Sequence, residues 1–410
     1  MSEQSPISAH LNRLQLGGLM VGAAAAVVCV IVGFMSHGQF FRSYLAAYLF
    51  WLGITLGSMA VLFIGHLAGG QWAFVIRRFA ETAAMTLPLM IVLFGPILLG
   101  MGHLFLWTDK ELLAGDAVLR HKSIWLNVPA FTLRAAIYFA VWLVIILLLR
   151  SWSLGWGRTK DRKYIRKLTA ISGPGAVIYV ITMTLAAIDW IMSRDPHFFS
   201  SIIGFITVVG QVLTALAFLV LMLRLFHKDE PVSATVNGDV LNDLGNLLLT
   251  FVILWTYMAF AQFLIIWMGN EREDVTWYLQ RLTPAWKTTA ALLLLFHFLI
   301  PFFLLLSRGI KRRIESLGVL AGLLLFMRFI DVLWMNLPSG PTALGGMQTM
   351  AAIVLDMLLP IAIGGVWMAL FAWLLKRHPI VAEAMPAEQH SADYNPIMTN
   401  DPDRGLTGHS

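Results

Sequence analysis

The chain has 410 residues, of which 58% are hydrophobic and only 13% are charged. A soluble globular protein carries roughly 25% charged residues, so this composition excludes a soluble domain and predicts an integral membrane protein. The formal net charge of +6 does not indicate nucleic-acid binding, because most of the cations lie in loops on one side of the predicted membrane domain.

Ten stretches of the chain are apolar and long enough to cross a bilayer, which takes about 20 helical residues. They are residues 14–34, 44–67, 83–106, 128–150, 170–193, 199–226, 243–268, 285–306, 314–336 and 349–375. The first stretch is long, has no evident cleavage site and is followed by further spans, so we expect it to be retained rather than removed as a secretory signal. The predicted fold class is therefore an all-α polytopic membrane protein.

The loops predict the orientation, because short cytoplasmic loops are enriched in lysine and arginine. The loops on the side of the two termini hold more than twice as many of these cations as the opposite loops. We therefore expect a cytoplasmic N-terminal segment (1–13), a transmembrane domain (14–376) and a cytoplasmic C-terminal tail (377–410). The tail is rich in small and polar residues and is predicted to be extended or disordered. The most cationic loop, 158–167, is also a candidate for binding anionic lipid headgroups.

The cofactors that the chain can hold are limited by its cysteines and histidines. Cys29 is the only cysteine, which excludes an internal disulfide, an iron–sulfur cluster and a covalently attached c-type haem. A b-type haem needs two histidines that face each other at one depth, whereas His66, His103, His197 and His297 fall at different depths or at the outer surface. The sequence predicts no cofactor in this chain.

Polar and ionisable side chains inside the predicted spans are the candidates for function, because a charge in the bilayer is costly and is usually paired. Six residues are proton-path candidates: Asp356, His297, Asp331, Asp189, Gln262 and Gln211. Three more are candidates for ion pairing or a structural role: Arg328, Arg134 and Tyr138. Most of them fall in the outer half of the bilayer, as an outward proton half-channel or an outer docking platform requires.

Helical spacing predicts pairs among these residues. Arg328 and Asp331 are three residues apart, so they share one helix face and can form an ion pair. Arg134 and Tyr138 are four residues apart and again share a face. Such groups can also simply hold helices together, and Arg134 lies near enough to the end of its span to reach the interface. A structural role therefore stands beside a functional one.

Two titratable residues precede a proline by four positions. A helical proline leaves the carbonyl group four residues earlier without its usual donor, and Pro301 does this to His297 as Pro360 does to Asp356. The freed carbonyl can hold a water molecule that relays protons, although prolines are also common in such spans without this role. Asp356 has no cation at helical spacing, so we expect it to exchange protons that His297 supplies from the middle of the bilayer.

Four segments resemble the F-type membrane subunit of alternative complex III, which belongs to the polysulfide reductase NrfD-like membrane proteins. They are residues 48–60, 126–142, 189–204 and 328–338. The third segment, DWIMSRDPHFFSSIIG, is the most specific. Its motif residues are Asp189, Trp190, Met192, Ser193, Pro196 and His197.

This resemblance implies two four-helix bundles plus two flanking helices, within a quinol:electron-acceptor oxidoreductase of the bacterial inner membrane. It implies that partner subunits hold the cofactors: a multihaem c-type subunit, an iron–sulfur subunit and a monohaem c-type subunit. A related C-type membrane subunit, lipids and a terminal oxidase are further implied partners, and quinone is the implied ligand. A proton-conducting role is implied for the buried acids Asp189, Asp331 and Asp356.

Two other classes stay open at this point. A secondary transporter also combines ten spans, kinked helices and buried charges, but it usually has broken segments at matching positions of two inverted halves, and no clear internal repeat is visible. A self-contained b-type cytochrome would need the paired histidines that the sequence lacks.

Overall fold

In the computed structural model, residues 6–339 and 350–381 are described, and all the regular secondary structure in these two ranges is helical. Ten segments in them are long and apolar enough to cross a membrane, which confirms the predicted fold class. Numbered below as spans 1 to 10, they are Pro6–Met35, His37–Ala68, Gln71–Leu99, Val128–Thr159, Arg162–Trp190, Ile203–Phe226, Gly238–Gly269, Pro284–Leu306, Ile314–Asn336 and Met350–Leu375.

Spans 3 and 8 are interrupted. Span 3 consists of the helices Gln71–Ala84, Leu87–Leu93 and Gly95–Leu99 and is followed by Met101–Leu104. Prolines at the starts of the second and third pieces suit a helical first turn but cannot continue a preceding hydrogen-bond ladder. Span 8 is helical throughout, but its α-helix is interrupted by a π-helical segment, Leu293–Leu299.

Short helices lie in the connections between the spans. The face of the molecule opposite the two termini, called the distal face below, carries Leu106–Thr108, Lys110–Gly115, Ala117–Lys122, Met192–Arg194 and Arg272–Leu279. On the face of the termini, Arg308–Lys311 precedes span 9. Lys376 donates there to the side chains of Asn12 and Gln15, both at 2.5 Å, and so ties the end of span 10 to the start of span 1.

Spans 2 to 5 pack together as one bundle and spans 6 to 9 as a second, while spans 1 and 10 pack against each other at the side of span 2. This arrangement agrees with the two bundles and two flanking helices implied by the resemblance. Spans 2 and 6 form the centre, since 89% of the most apolar window of each is buried, against 22% for spans 1, 7 and 8. The last three therefore leave most of their surface exposed in this chain.

The contact between the two central spans depends on a glycine. A Cβ atom at Gly57 would lie 2.1 Å from the carbonyl oxygen of Gln211, far inside van der Waals contact. The missing side chain lets spans 2 and 6 approach closely, as small residues do in membrane helix pairs. This approach fixes Gln211 at the junction of the two bundles.

The predicted start of span 3 at residue 83 is wrong, because the helix begins at Gln71. Arg77, Arg78 and Glu81 are consequently helical and buried rather than part of a connecting loop. A helix can carry these charges because they lie three and four residues apart and neutralise one another. Because the first turns of this helix are charged, a hydropathy criterion detects only its later, apolar part.

The ends of the chain differ from the prediction in one respect. Span 1 is helical from Pro6, so the predicted N-terminal segment 1–13 is partly helix. The predicted C-terminal tail 377–410 lies mostly outside the described residues. Its first residues include Ile380 and Val381, which are buried.

Candidate functional site

The carboxyl group of Asp356 is held by uncharged donors. Ser43 Oγ lies 2.5 Å from Oδ1 of Asp356, and Gln39 Nε2 donates to the same oxygen at 3.2 Å. Gln39 and Ser43 are four residues apart on span 2, and they also hydrogen-bond to each other at 2.9 Å. The neighbouring Arg42 donates to the carbonyl of Leu337 and acts on Asp356 electrostatically. Asp356 is therefore buried, at 4% exposure, beside neutral hydrogen-bond partners.

Span 10 stays helical through Pro360, which lies four residues after Asp356. The helix continues through Pro360 to Leu375. Trp51 Nε1 donates to the carbonyl of Pro360 at 2.8 Å. The indole thus binds a carbonyl of span 10 close to the proline, and it attaches this part of the span to span 2.

Asp331 and Arg328 form the ion pair that their spacing predicts. Both side chains are buried and hydrogen-bonded to each other. Arg328 Nε also lies 3.3 Å from Thr214 Oγ1 on span 6. A Cβ atom at Gly210 would come within 2.2 Å of the Arg328 guanidinium, so the glycine provides the space for this cation between spans 6 and 9.

Asp189 has four donors around one fully buried carboxylate. Arg134 binds it with two nitrogens, Nε at 2.9 Å and Nη2 at 2.7 Å. Tyr138 Oη donates at 3.0 Å and Trp125 Nε1 at 2.9 Å. Arg134 additionally stacks on the Trp125 ring at 4.1 Å. The bidentate pair and the two neutral donors satisfy the carboxylate fully, which is the geometry of a structural ion pair.

The other motif residues attach the distal loop to span 5. Ser193 accepts a hydrogen bond from Trp107 Nε1 at 3.2 Å, and the carbonyl of Pro196 accepts one from Lys122 at 2.6 Å. His197 Nε2 lies 2.8 Å from Asp116 Oδ2. Desolvation raises the pKa of Asp116, but the backbone N–H donors of Leu119 and Val118 together with His197 hold it below its usual value.

The two remaining side chains of this motif lie in apolar packing. Trp190 is fully buried and stacks on Phe139 with ring centroids 5.6 Å apart. Met192 is half-buried against the hydrophobic core. The motif as a whole therefore holds together the distal end of the first bundle.

Gln211 and Gln262 are buried in separate hydrogen-bonded pairs. Tyr179 Oη donates to Gln211 Oε1 at 2.6 Å, and Ser200 Oγ donates to Gln262 Oε1 at 2.9 Å. The first pair joins spans 5 and 6 at the bundle junction. The second lies between span 7 and the segment that leads into span 6.

His297 does not lie next to Asp356, as a direct proton transfer between the two side chains would require. Span 8 packs against spans 7 and 9, whereas span 10 packs against spans 1, 2 and 3, so the structure does not bring the two residues together. The His297 ring is fully buried and stacks on Trp255 with centroids 4.1 Å apart. Neither ring nitrogen has a hydrogen-bond partner among the described residues.

The backbone around His297 is also altered. In the π-helical turn, the N–H of Ile300 donates to the carbonyl of Leu295, five residues earlier. Such segments often mark functional positions in helices. Pro301 lies at the start of the following helix, Ile300–Leu306, so the widened turn directly precedes it. The proline and the histidine thus share an irregular part of span 8.

Asp331 lines two cavities. The larger, about 700 Å³, lies between spans 7, 8 and 9 and includes Gln262 in its wall. The smaller, about 30 Å³, is lined by Gln211, Thr214 and Arg328. A cavity of roughly 15 Å³ suffices for one water molecule with polar partners. Asp331 thus separates a lipid-side cleft from a polar site at the junction of the bundles.

Sequence reasoning missed two groups of buried cations. The predicted spans leave Arg77 and Arg78 outside and end at Arg150, but all three arginines bind Glu81, with nitrogen to oxygen distances of 2.9, 2.9 and 3.0 Å. Ser153 donates to the same carboxylate. The spacing of Arg77 and Arg78 before Glu81 was the available signal, whereas nothing local marks Arg150 as its partner.

The second group meets the distal end of span 9. Arg42, Arg194 and Arg281 come from span 2, from the segment after span 5 and from the segment before span 8. All three donate to backbone carbonyls among residues 334–339. The last carbonyls of a helix have no partner within it and form the negative end of its dipole. The three arginines, called the arginine clamp below, supply donors and positive charge there.

Within the described residues, no group of three or more His, Cys, Asp or Glu side chains is arranged to hold a metal ion. No protein-family model and no curated protein matches this chain. The assignment of a function therefore rests on the geometry above and on the sequence segments quoted earlier.

Proposed function

We propose that this chain is the membrane subunit, itself without cofactors, of a bacterial inner-membrane complex that oxidises quinol and reduces cytochrome c or another acceptor. The proposal rests on the resemblance of four segments, and the ten-span architecture in two bundles is compatible with it. In this assignment the partner subunits carry the c-type haems and iron–sulfur clusters. This chain contributes a site near the quinone and a path for protons.

The observation that carries the proton-path proposal is the contrast among three buried carboxylates. Asp189 and Asp331 each form an ion pair with an arginine. Asp356 is bound by Ser43 and Gln39, which can donate to the ionised form and rearrange around the protonated one. Proton relay needs a group that can exist in both forms. Asp356 meets that requirement best.

Asp331 and Gln211 provide the second part of the path. The small cavity that they share has room for a water molecule beside Arg328, and Tyr179 extends it toward the face of the termini through its hydrogen bond to Gln211. His297 lies on the other side of the second bundle and is not part of a direct contact with Asp356. A supply of protons through Gln211 and water is therefore preferred over direct transfer from His297.

Asp356→Asn in the intact complex tests this role. Asparagine keeps the size and most of the hydrogen bonding but cannot exchange a proton. Because a positioned proton-transfer group typically contributes about 100-fold or more in rate, we expect a slowing of proton release of that order in a reconstituted complex. The measurement is proton release during quinol oxidation, with assembly checked by haem content.

Glu111→Gln, in an exposed helix of the distal face, is the matched control and should behave like the wild type. Unchanged proton release in a fully assembled Asp356→Asn complex would remove Asp356 from the path.

The proposed cytoplasmic position of both termini predicts how cysteines will be labelled in intact cells. In a Cys29→Ala background, we expect a membrane-impermeant thiol reagent to label Ala114→Cys but to reach Thr159→Cys only after permeabilisation. Both residues are exposed and lie on opposite faces. Ser339, a loop position by sequence, is unsuitable because it is 3% exposed. The reverse pattern of labelling would invert the proposed orientation.

A secondary transporter with a buried charged site is the second candidate, and the interruptions of spans 3 and 8 favour it. These spans occupy matching positions in two halves of five, which is the arrangement of broken helices in many transporters. A transporter would also need both interruptions to face one substrate cavity. The residues that line the large cavity come from spans 6 to 9 and the helix Arg272–Leu279, and none comes from span 3. This distribution favours the respiratory subunit.

A further inference from the structure

The large cavity between spans 7, 8 and 9 is a cleft with aromatic and aliphatic walls. Its volume of about 700 Å³ falls within the roughly 300–1,000 Å³ that is typical of ligand pockets. Phe298, Trp277 and Tyr278 form part of the wall. Phe260 and Leu294 lie at its side and are 59% and 56% exposed. Because spans 7 and 8 are exposed along the side of the second bundle, the cleft opens laterally, in the direction of a surrounding bilayer.

The cleft is longer than the hydrocarbon of one leaflet is thick. Its lining on span 8 runs from Lys287 near the distal end to Phe302. At about 1.5 Å per residue this stretch covers about 22 Å, whereas the hydrocarbon of one leaflet is about 15 Å thick. An acyl chain of a lipid in the distal leaflet can therefore lie along the cleft over its whole length.

The distal end of the cleft is positively charged. Arg281 is 2% exposed and stacks on Trp277 at 3.3 Å. It donates to backbone carbonyls and to Ser339 Oγ rather than to a carboxylate. Burial lowers the pKa of Arg281; Tyr278 and Asp195 oppose this effect, and Arg194 adds to it. Lys287 is exposed at the same end.

No acid among the described residues forms an ion pair with Arg281 or Lys287, although Asp195 acts on Arg281 electrostatically. Asp331, the acid of the wall, is paired with Arg328. Asp274 lies at the start of the helix Arg272–Leu279, whereas the wall residues lie at its end. It accepts a hydrogen bond from the backbone N–H of Phe199 at 3.2 Å.

An unused donor lies in the wall between the apolar and the charged part. Trp334 Nε1 is buried and has no hydrogen-bond partner among the described residues, and Trp334 lines the cleft. A buried donor without a partner is costly. The ester carbonyl of a glycerolipid, which sits between the acyl chain and the phosphate, has the chemistry to satisfy it.

We infer that this cleft binds an anionic phospholipid of the distal leaflet. The acyl chain lies along span 8, an ester carbonyl accepts from Trp334, and the phosphate lies between Lys287 and the buried charge of Arg281. The inference goes beyond the proposed function and does not depend on it, since a transporter could carry the same lipid site.

Native mass spectrometry of the full chain in nanodiscs tests this site, with phosphatidylglycerol, phosphatidylethanolamine and an isoprenoid quinone as separate probes. We expect one tightly held phosphatidylglycerol. Because a cation near the membrane surface contributes about 1 kcal/mol to binding an anionic lipid and Lys287→Glu replaces that attraction by a repulsion of similar size, we expect the variant to weaken retention about 30-fold. Arg120→Glu, an exposed cation elsewhere on the distal face, should have no effect.

A second variant tests the apolar part without disturbing packed side chains. Leu294→Trp should fill the cleft and abolish retention, whereas Leu295→Trp, also exposed but outside the lining, should retain the lipid. Retention of quinone in preference to phospholipid would overturn the inference. So would equal retention of both phospholipids, or phosphatidylglycerol binding that both Lys287→Glu and Leu294→Trp leave unchanged.

Discussion

Replacing Arg134 by methionine is expected to destabilise the protein strongly, because it leaves the carboxylate of Asp189 buried without a cation. Asp189 is fully buried and receives two hydrogen bonds from Arg134. Breaking a buried ion pair on one side typically costs about 3–5 kcal/mol. We expect a large fall in the midpoint of thermal unfolding of the purified protein and a matching loss of assembled complex.

The double variant Arg134→Met, Asp189→Asn provides the decisive comparison. Removing both charges leaves no uncompensated carboxylate, so the double variant should be more stable than Arg134→Met alone. Arg120→Met is the control, since that arginine is exposed on the same face. If the double variant is no more stable than Arg134→Met, the contact with Asp189 is not the source of the loss.

This prediction also separates the roles of the buried acids. The four donors around Asp189 include Trp125 and Tyr138, so each carboxylate oxygen is occupied. Asp189 is therefore suited to hold spans 4 and 5 together, whereas Asp356, with its neutral partners, is suited to exchange protons.

The sequence predicted those features that depend on neighbouring residues in the chain. The ten spans follow from hydropathy, and the pair Arg328–Asp331 follows from a three-residue spacing on one helix. The bidentate contact of Arg134 with Asp189 joins two spans and has no local signal. The sequence placed both residues on the candidate list, but only the packing of spans 4 and 5 shows that they are partners.

The same limit explains the errors about cations. Arginines at the ends of spans normally remain in water and report topology, and Arg42, Arg194 and Arg281 lie just outside the predicted spans. The structure buries all three, because they bind backbone carbonyls rather than acids. Every residue has a backbone carbonyl, so this acceptor cannot be recognised in the sequence. A carboxylate paired within one helix can be recognised from its spacing.

The second large loss of stability is expected at the arginine clamp, and Arg194→Met is the variant that tests it. Arg194 is fully buried and donates to the carbonyls of Asn336 and Ser339, the latter at 2.6 Å. Each buried carbonyl left without a donor costs about 1–3 kcal/mol, and the helix dipole loses a nearby cation. We expect a fall in stability of about 2–5 kcal/mol, measured as a shift of the unfolding midpoint.

A readout at the clamp itself distinguishes this mechanism from a general loss of packing. In a Cys29→Ala background, Ser339→Cys should react slowly with a thiol reagent, because Ser339 is 3% exposed, and Arg194→Met should accelerate that reaction. Arg194→Lys keeps the charge but cannot bind two carbonyls with a planar fork, so its stability should lie between those of Arg194→Met and the wild type. If Arg194→Lys matches the wild type in both measurements, charge alone holds the end of span 9, and the two hydrogen bonds contribute nothing measurable.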